Sequence, residues 1–158
     1  MRVDSNIEHV KILFRFVSNI TDEVHVETMW AILVDKNKGH YRIDSIPFYG
    51  PLVNSDDIVL AEFDQQEEML TYRNTVKSSG NSTVQVLMNN GNEIELARNE
   101  LKELGCTSEK MNPSFFTLEI PIGVNYKEIK LVLDRKSIEG IFEYAEPCLS
   151  NKHWQDLV

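Results

Sequence analysis

Ser79-Gly80-Asn81-Ser82-Thr83 sets one glycine among three hydroxyls and an amide. Such a run can aim backbone N–H groups at an anion. It lacks the lysine of a phosphate-binding loop and opens no helix, so a turn or bulge between strands is the expectation. His9, His25, His40 and His153 share no metal-ligand spacing, and neither do Cys106 and Cys148. His25 and Glu27 lie two residues apart on one strand face and have the types of an acid–base couple. Solvated strand positions explain them as well. Cys106 follows Leu104-Gly105 at a helix C-terminus, where the dipole raises a thiol pKa and blunts a nucleophile. No catalytic residue, metal or cofactor is expected.

The elements that would position these groups change period along the chain. His9–Val17 alternates Val10, Ile12, Phe14 and Phe16 against His9, Lys11 and Arg15, the mark of a half-buried strand. Val24–Val34 alternates with Val24, Val26, Trp30, Ile32 and Val34 on one face, and its aromatic is expected in the core. Gly39 closes a hairpin turn, His40–Ile46 is a third strand, and Tyr49-Gly50-Pro51 is a loop. Ile58–Phe63 and Met69–Ser79 complete five strands, which suggests a small β-barrel or curved antiparallel sheet.

After Gly80 the pattern becomes mixed. Ser82–Met88, Phe115–Ile120 and Ile141–Glu146 read as strands. Glu93–Leu104 and Tyr126–Lys136 read as helices, with Asn92 and Asn125 as caps and Gly105 as a stop. Strand, helix, strand, helix, strand implies a ferredoxin-like α+β sandwich with both helices on one face. The expected division is 1–79, β-rich, and 80–158, ferredoxin-like, the two packed together.

Charge is distributed unevenly. Thirty residues, 43–72, contain no Lys, Arg or His and seven carboxylates, which supplies most of the net −9. That field repels nucleic acid and anionic membrane and favours basic protein surfaces. No apolar run approaches a membrane span, and Met1-Arg2-Val3-Asp4-Ser5 has no signal-peptide core, so a cytoplasmic protein is expected.

Several short segments in order resemble a known family: Glu27-Thr28-Met29-Trp30-Ala31, Gly39-His40-Tyr41-Arg42-Ile43-Asp44, Ile46-Pro47-Phe48 and Ser79-Gly80-Asn81-Ser82-Thr83-Val84. Leu104-Gly105-Cys106 with Glu109, and Gly140–Leu149, extend the likeness from about His9 to Leu149. The chain thereby resembles the bacterial family called domain of unknown function 4265. The resemblance implies a bacterial cytoplasmic protein and brings no activity or catalytic residue with it.

Two functions are consistent with these features. The first is an acidic protein-binding module, most concretely an immunity protein that neutralises a basic bacterial toxin, such as a nuclease, by direct binding. Asp56, Asp57, Glu62, Asp64, Glu67 and Glu68 would face that partner. The second is an enzyme or small-molecule sensor with its site at the seam of the two parts, using Glu27, His40, Asp44, Ser79, Asn81 and Ser82. RNA binding is opposed by the net charge and by the missing aromatic pattern of RNA-recognition sheets.

Overall fold

Alternating residues from His9 to Val17 form β1, which pairs antiparallel with β2, Val24–Asp35. A computed structural model describes residues 8–18, 21–50 and 52–158. Residues 1–5, read above for a signal-peptide core, and Pro51 of the expected loop lie outside the described residues. The fold is α+β, built from mostly antiparallel sheets with a few helices. It divides into two compact units. One runs to Ser45 and resumes over Ser55–Ser79, and the other comprises Ile46–Asn54 and Gly80–Val158. The segment 46–54, placed by the sequence in the first part, belongs to the second unit.

In the first unit β3 (His40–Ile43), β4 (Ile58–Asp64) and β5 (Met69–Lys77) follow in antiparallel order, and β5 returns to β1 in parallel at Leu13 and Thr71. The five strands thus close into a ring. Ile12, Phe14, Met29, Ala31, Ile43, Val59 and Ala61 are buried and fill it. The register corrects one expectation. Ile12 pairs with Met29 and Lys11 with Trp30, so the inward even positions of β1 match odd positions of β2. Val24, Val26, Trp30 and Val34 therefore face outward and are half exposed or more. The Lys11 ammonium lies 5.0 Å from the centroid of the Trp30 ring, a cation–π contact that covers the indole without a core.

The second unit runs β6 (Ser82–Met88), α1 (Ile94–Glu103), β7 (Thr107–Asn112), β8 (Phe115–Ile120), α2 (Tyr126–Ile138), β9 (Phe142–Cys148) and α3 (Asn151–Asp156). Its sheet order is β7-β8-β6-β9, antiparallel throughout. Val84, Val86 and Met88 of β6 and Phe116, Leu118 and Ile120 of β8 turn one face towards Ile94, Ala97 and Leu101 of α1 and Tyr126, Ile129 and Leu133 of α2. This is the core. Asn125 caps α2 by accepting from the Lys127 amide, as its sequence position suggests. A short 3-10 turn, Gly91–Glu93, precedes α1 and is capped by Asn90 instead of the expected Asn92.

The opposite face of that sheet is covered by the segment 46–54. Pro47 O accepts from the Thr117 hydroxyl at 2.9 Å, and Phe48 O accepts from Gln85 Nε2 at 2.7 Å. The Thr83 hydroxyl donates to Asn54 Oδ1 at 2.6 Å, and the Tyr49 ring stacks on Phe115 at 5.8 Å. The segment supplies polar partners that the exposed sheet face would otherwise take from water.

Candidate functional site

The acidic stretch forms two rims at opposite ends of β4, about 20 Å apart for a strand of this length. Asp56 and Asp57 precede the strand. Asp56 pairs with Arg42 at 2.8 Å. Asp57 is only 3% exposed, and its carboxylate accepts the Ser79 amide at 2.8 Å. This corrects the expectation that Asp57 faces a partner: burial and a backbone donor turn it inward. The structure joins it instead to Ser79, whose hydroxyl donates to Ser55 O at 2.8 Å.

The second rim is the β4–β5 turn. Asp64 Oδ1 accepts from the Gln66 and Glu67 amides at 2.8 and 3.1 Å, and the Glu68 amide closes on Asp64 O at 2.8 Å. Glu68 takes a left-handed φ of 57° to complete the turn. The Asp64 carboxyl is held below the ordinary carboxylate range by the Glu67 amide first and by Arg73 next. Arg73 also lies 3.6 Å from Glu62, and Arg15 pairs with Glu67. Two arginines thus offset part of the charge that the sequence concentrates here. Phe63, 63% exposed, ends β4 beside this turn, on the strand face opposite Glu62 and Asp64. Sequence reasoning placed it simply in a strand; its position one residue before an acidic turn is the signal that marks it.

The residues grouped as a pocket occupy separate elements. In the first unit Glu27 sits within β2 opposite Phe14, and His40 opens β3 opposite Leu60. Asp44 follows β3, its amide on Trp30 O at 2.9 Å and its carboxylate 3.9 Å from His9 Nε2. His25, the proposed mate of Glu27, is stacked on Phe16 and lies 3.2 Å from the Thr21 hydroxyl.

In the second unit the cluster around Gly80 turns inward. Gly80 adopts φ +84°, where a Cβ would run into the Ile122 side chain. Asn81 accepts from the Ile122 amide at 3.0 Å and donates to Glu119 at 3.2 Å. Ser82 is fully buried, 2.5 Å from Nδ1 of the fully buried His153. His153 Nε2 lies 3.1 Å from Pro121 O. A carbonyl only accepts, so the ring proton sits on Nε2 and Nδ1 accepts from the Ser82 hydroxyl. Ser82 in turn accepts the Ser150 amide at 2.8 Å. A serine and a histidine at this spacing, the ring oriented by a third group, have the form of a nucleophile–base pair. Both are sealed from substrate, so here the arrangement anchors α3 to β6. Sequence reasoning missed it because the two residues lie 71 positions apart.

Cys106 is also buried, and its thiol is pushed up to about 12 by burial first and by Glu119 second. On α2 and β9, Tyr126 and Tyr144 donate to Glu146 and Asp134, and Lys130 Nζ lies 3.1 Å from both Tyr144 and Glu146. Burial, then Glu146, raises the Tyr126 phenol, and burial, then Asp134, raises that of Tyr144. Neither phenol is poised to give up a proton. Among the described residues no group of three or more His, Cys, Asp or Glu is placed to hold a metal ion, and no helix is long and apolar enough to cross a membrane.

Comparison with known proteins adds a fold relative and a family. A crystal structure described as a novel structure of a hypothetical protein from Neisseria gonorrhoeae superposes with a TM-score of 0.78. It is 21% identical, and the match covers 90% of this chain and 96% of that one. No curated protein matches the chain significantly. The model of the family "Domain of unknown function (DUF4265)" matches residues 27–144, well over half of the sequence, and the chain belongs to that family.

Proposed function

We propose that the protein is a binding module for a basic protein surface, most concretely a cytoplasmic immunity protein that neutralises a bacterial toxin by occupying it. In this reading the first unit is a small β-barrel that presents the acidic turn, and the second is a ferredoxin-like sandwich. The β7-β8-β6-β9 order and the two helices on one face support the latter label. A binder of this kind acts by complementarity and needs no catalytic group.

One observation carries the proposal: Phe63 is exposed at the end of β4, directly before the hydrogen-bonded acidic turn that carries Glu67 and Glu68, while Glu62 and Asp64 charge the other face of the strand. An exposed aromatic anchor beside a charged rim is a composition suited to a binding hot spot. The internal hydrogen bonds of Asp64 set the turn before any partner arrives, which lowers the ordering cost of association. Asp56 belongs to the other rim and would contribute to long-range attraction only. The acids disfavour nucleic acid and anionic membrane as partners.

The test is affinity capture from the native host at low and high salt, with wild type and Phe63→Ser in parallel. A basic protein retained at low salt by the wild type, weakened by salt and lost with Phe63→Ser, supports the reading. Equal retention by both chains, or none by either, refutes it.

A further inference from the structure

A cavity of about 300 Å³ lies between α1 and β7, walled by Glu95, Arg98, Asn99 and Lys102 of the helix and by Thr107 and Ser108 of the strand. Positions 95, 98, 99 and 102 fall on one side of α1, the side adjoining its buried stripe of Ile94, Ala97 and Leu101. Cys106 also lines it. A volume of this size is at the lower end for small-molecule sites, and the lining converges several polar groups on one space.

The charges in the cavity are not equivalent. Glu95 is already matched: its carboxyl is held below the ordinary range by Lys110 first and by Arg98, at 3.2 Å from each. Arg98 is fixed in place, its Nε donating to Ser108 Oγ at 2.9 Å and its second terminal nitrogen to Ser108 O at 3.2 Å. A guanidinium has five N–H donors, and that second nitrogen keeps one beyond its bond to Ser108. The Lys102 ammonium enters none of the ion pairs among the described residues. Glu119 approaches from the strand side, where it accepts from the Thr107 and Asn81 side chains at 3.0 and 3.2 Å. The protonated thiol of Cys106 adds no negative charge.

We propose that this cavity binds a small anion bearing a carboxylate or phosphate group, clasped by Arg98 and Lys102 with Asn99 as a neutral donor. Arg98 supplies the pre-set direction. Lys102 supplies the uncommitted charge that makes the site cationic despite Glu95. The inference concerns the second unit alone and stands apart from the protein-binding proposal, which rests on the β4–β5 turn.

The experiment is an amide NMR titration of the full chain with inorganic phosphate and, separately, with succinate. Saturable shifts confined to the amides of residues 95–108 are expected with at least one probe, and which probe saturates identifies the group. Lys102→Glu should weaken binding by at least about tenfold, the scale of losing a charged hydrogen-bond donor. Its melting temperature without anion should match wild type, because Lys102 is exposed. Absence of saturation with both probes overturns the proposal, as do equal shifts in Lys102→Glu.

Discussion

The Ser82 hydroxyl and Nδ1 of His153 lie 2.5 Å apart in a site closed to water, with Nε2 of the same ring on Pro121 O. This geometry uses the neutral imidazole. Burial is the first cause that lowers the His153 pKa, Lys152 lowers it further, and Pro121 and Asp156 oppose the shift.

The folded pKa is therefore below the unfolded value of about 6.5. Above about pH 6.5 both states hold a neutral ring and the full stability is present. On acidification the unfolded state binds the proton first, so stability falls from near that pH down through the folded pKa. Urea unfolding at about pH 7.5 and about pH 5.5 should show a loss in the wild type that is smaller in His153→Gln. An equal loss in both chains would assign the effect to other groups.

Asp56 and Asp57 are neighbours in sequence with different expected energetics. Asp57→Ala removes a buried carboxylate and with it the acceptor of the part-buried Ser79 amide, at a cost of about 1–3 kcal/mol. Asp56→Asn keeps the left-handed φ of 64° tolerable and removes the exposed ion pair with Arg42, worth about 0–1 kcal/mol. Chemical denaturation of the two variants checks the ranking, and a larger loss for Asp56→Asn would contradict it.

Gly80 and Gly140 both hold left-handed φ values, +84° and +76°, but only Gly80 has a neighbour in the way. A Cβ at either position costs about 1–2 kcal/mol in backbone terms. At Gly80 it also collides with Ile122, adding about 1–3 kcal/mol. Gly80→Ala should melt clearly below Gly140→Ala.

Three phenols are held above their ordinary range: Tyr41 by burial and then Glu8, Tyr126 by burial and then Glu146, Tyr144 by burial and then Asp134. Alkaline absorbance titration should show phenolate signal missing near pH 10, where free tyrosine titrates. Tyr126→Phe removes a hydrogen bond to a carboxylate and should cost about 1.5–3 kcal/mol in thermal or urea unfolding. It should also remove part of the late-titrating signal.

Periodicity revealed most of the strands and both long helices because each buries one regular face. It could not choose the buried face of β2. That strand carries apolar residues on both sides, and only the Ile12–Met29 register selects Met29 and Ala31 over Trp30. Thr107–Asn112 escaped notice because β7 is an edge strand with almost no buried side chain to impose alternation. The six-residue α3 is too short to show a period, although Ser150 caps it. Charge counting located the acids but not their counter-ions Arg15, Arg42 and Arg73, which reach them from other strands. The cavity between α1 and β7 was invisible because one of its walls is the unrecognised strand.

The segment Ile46–Asn54 leaves one unit, covers the sheet of the other and returns. No single cut of the chain can therefore separate the units intact. A fragment beginning at Gly80 would lack the nine residues that cover Thr83, Gln85, Phe115 and Thr117, and would present those groups as a sticky surface. During synthesis the order is reversed: the cover emerges from the ribosome before the sheet it will close, and must wait for it.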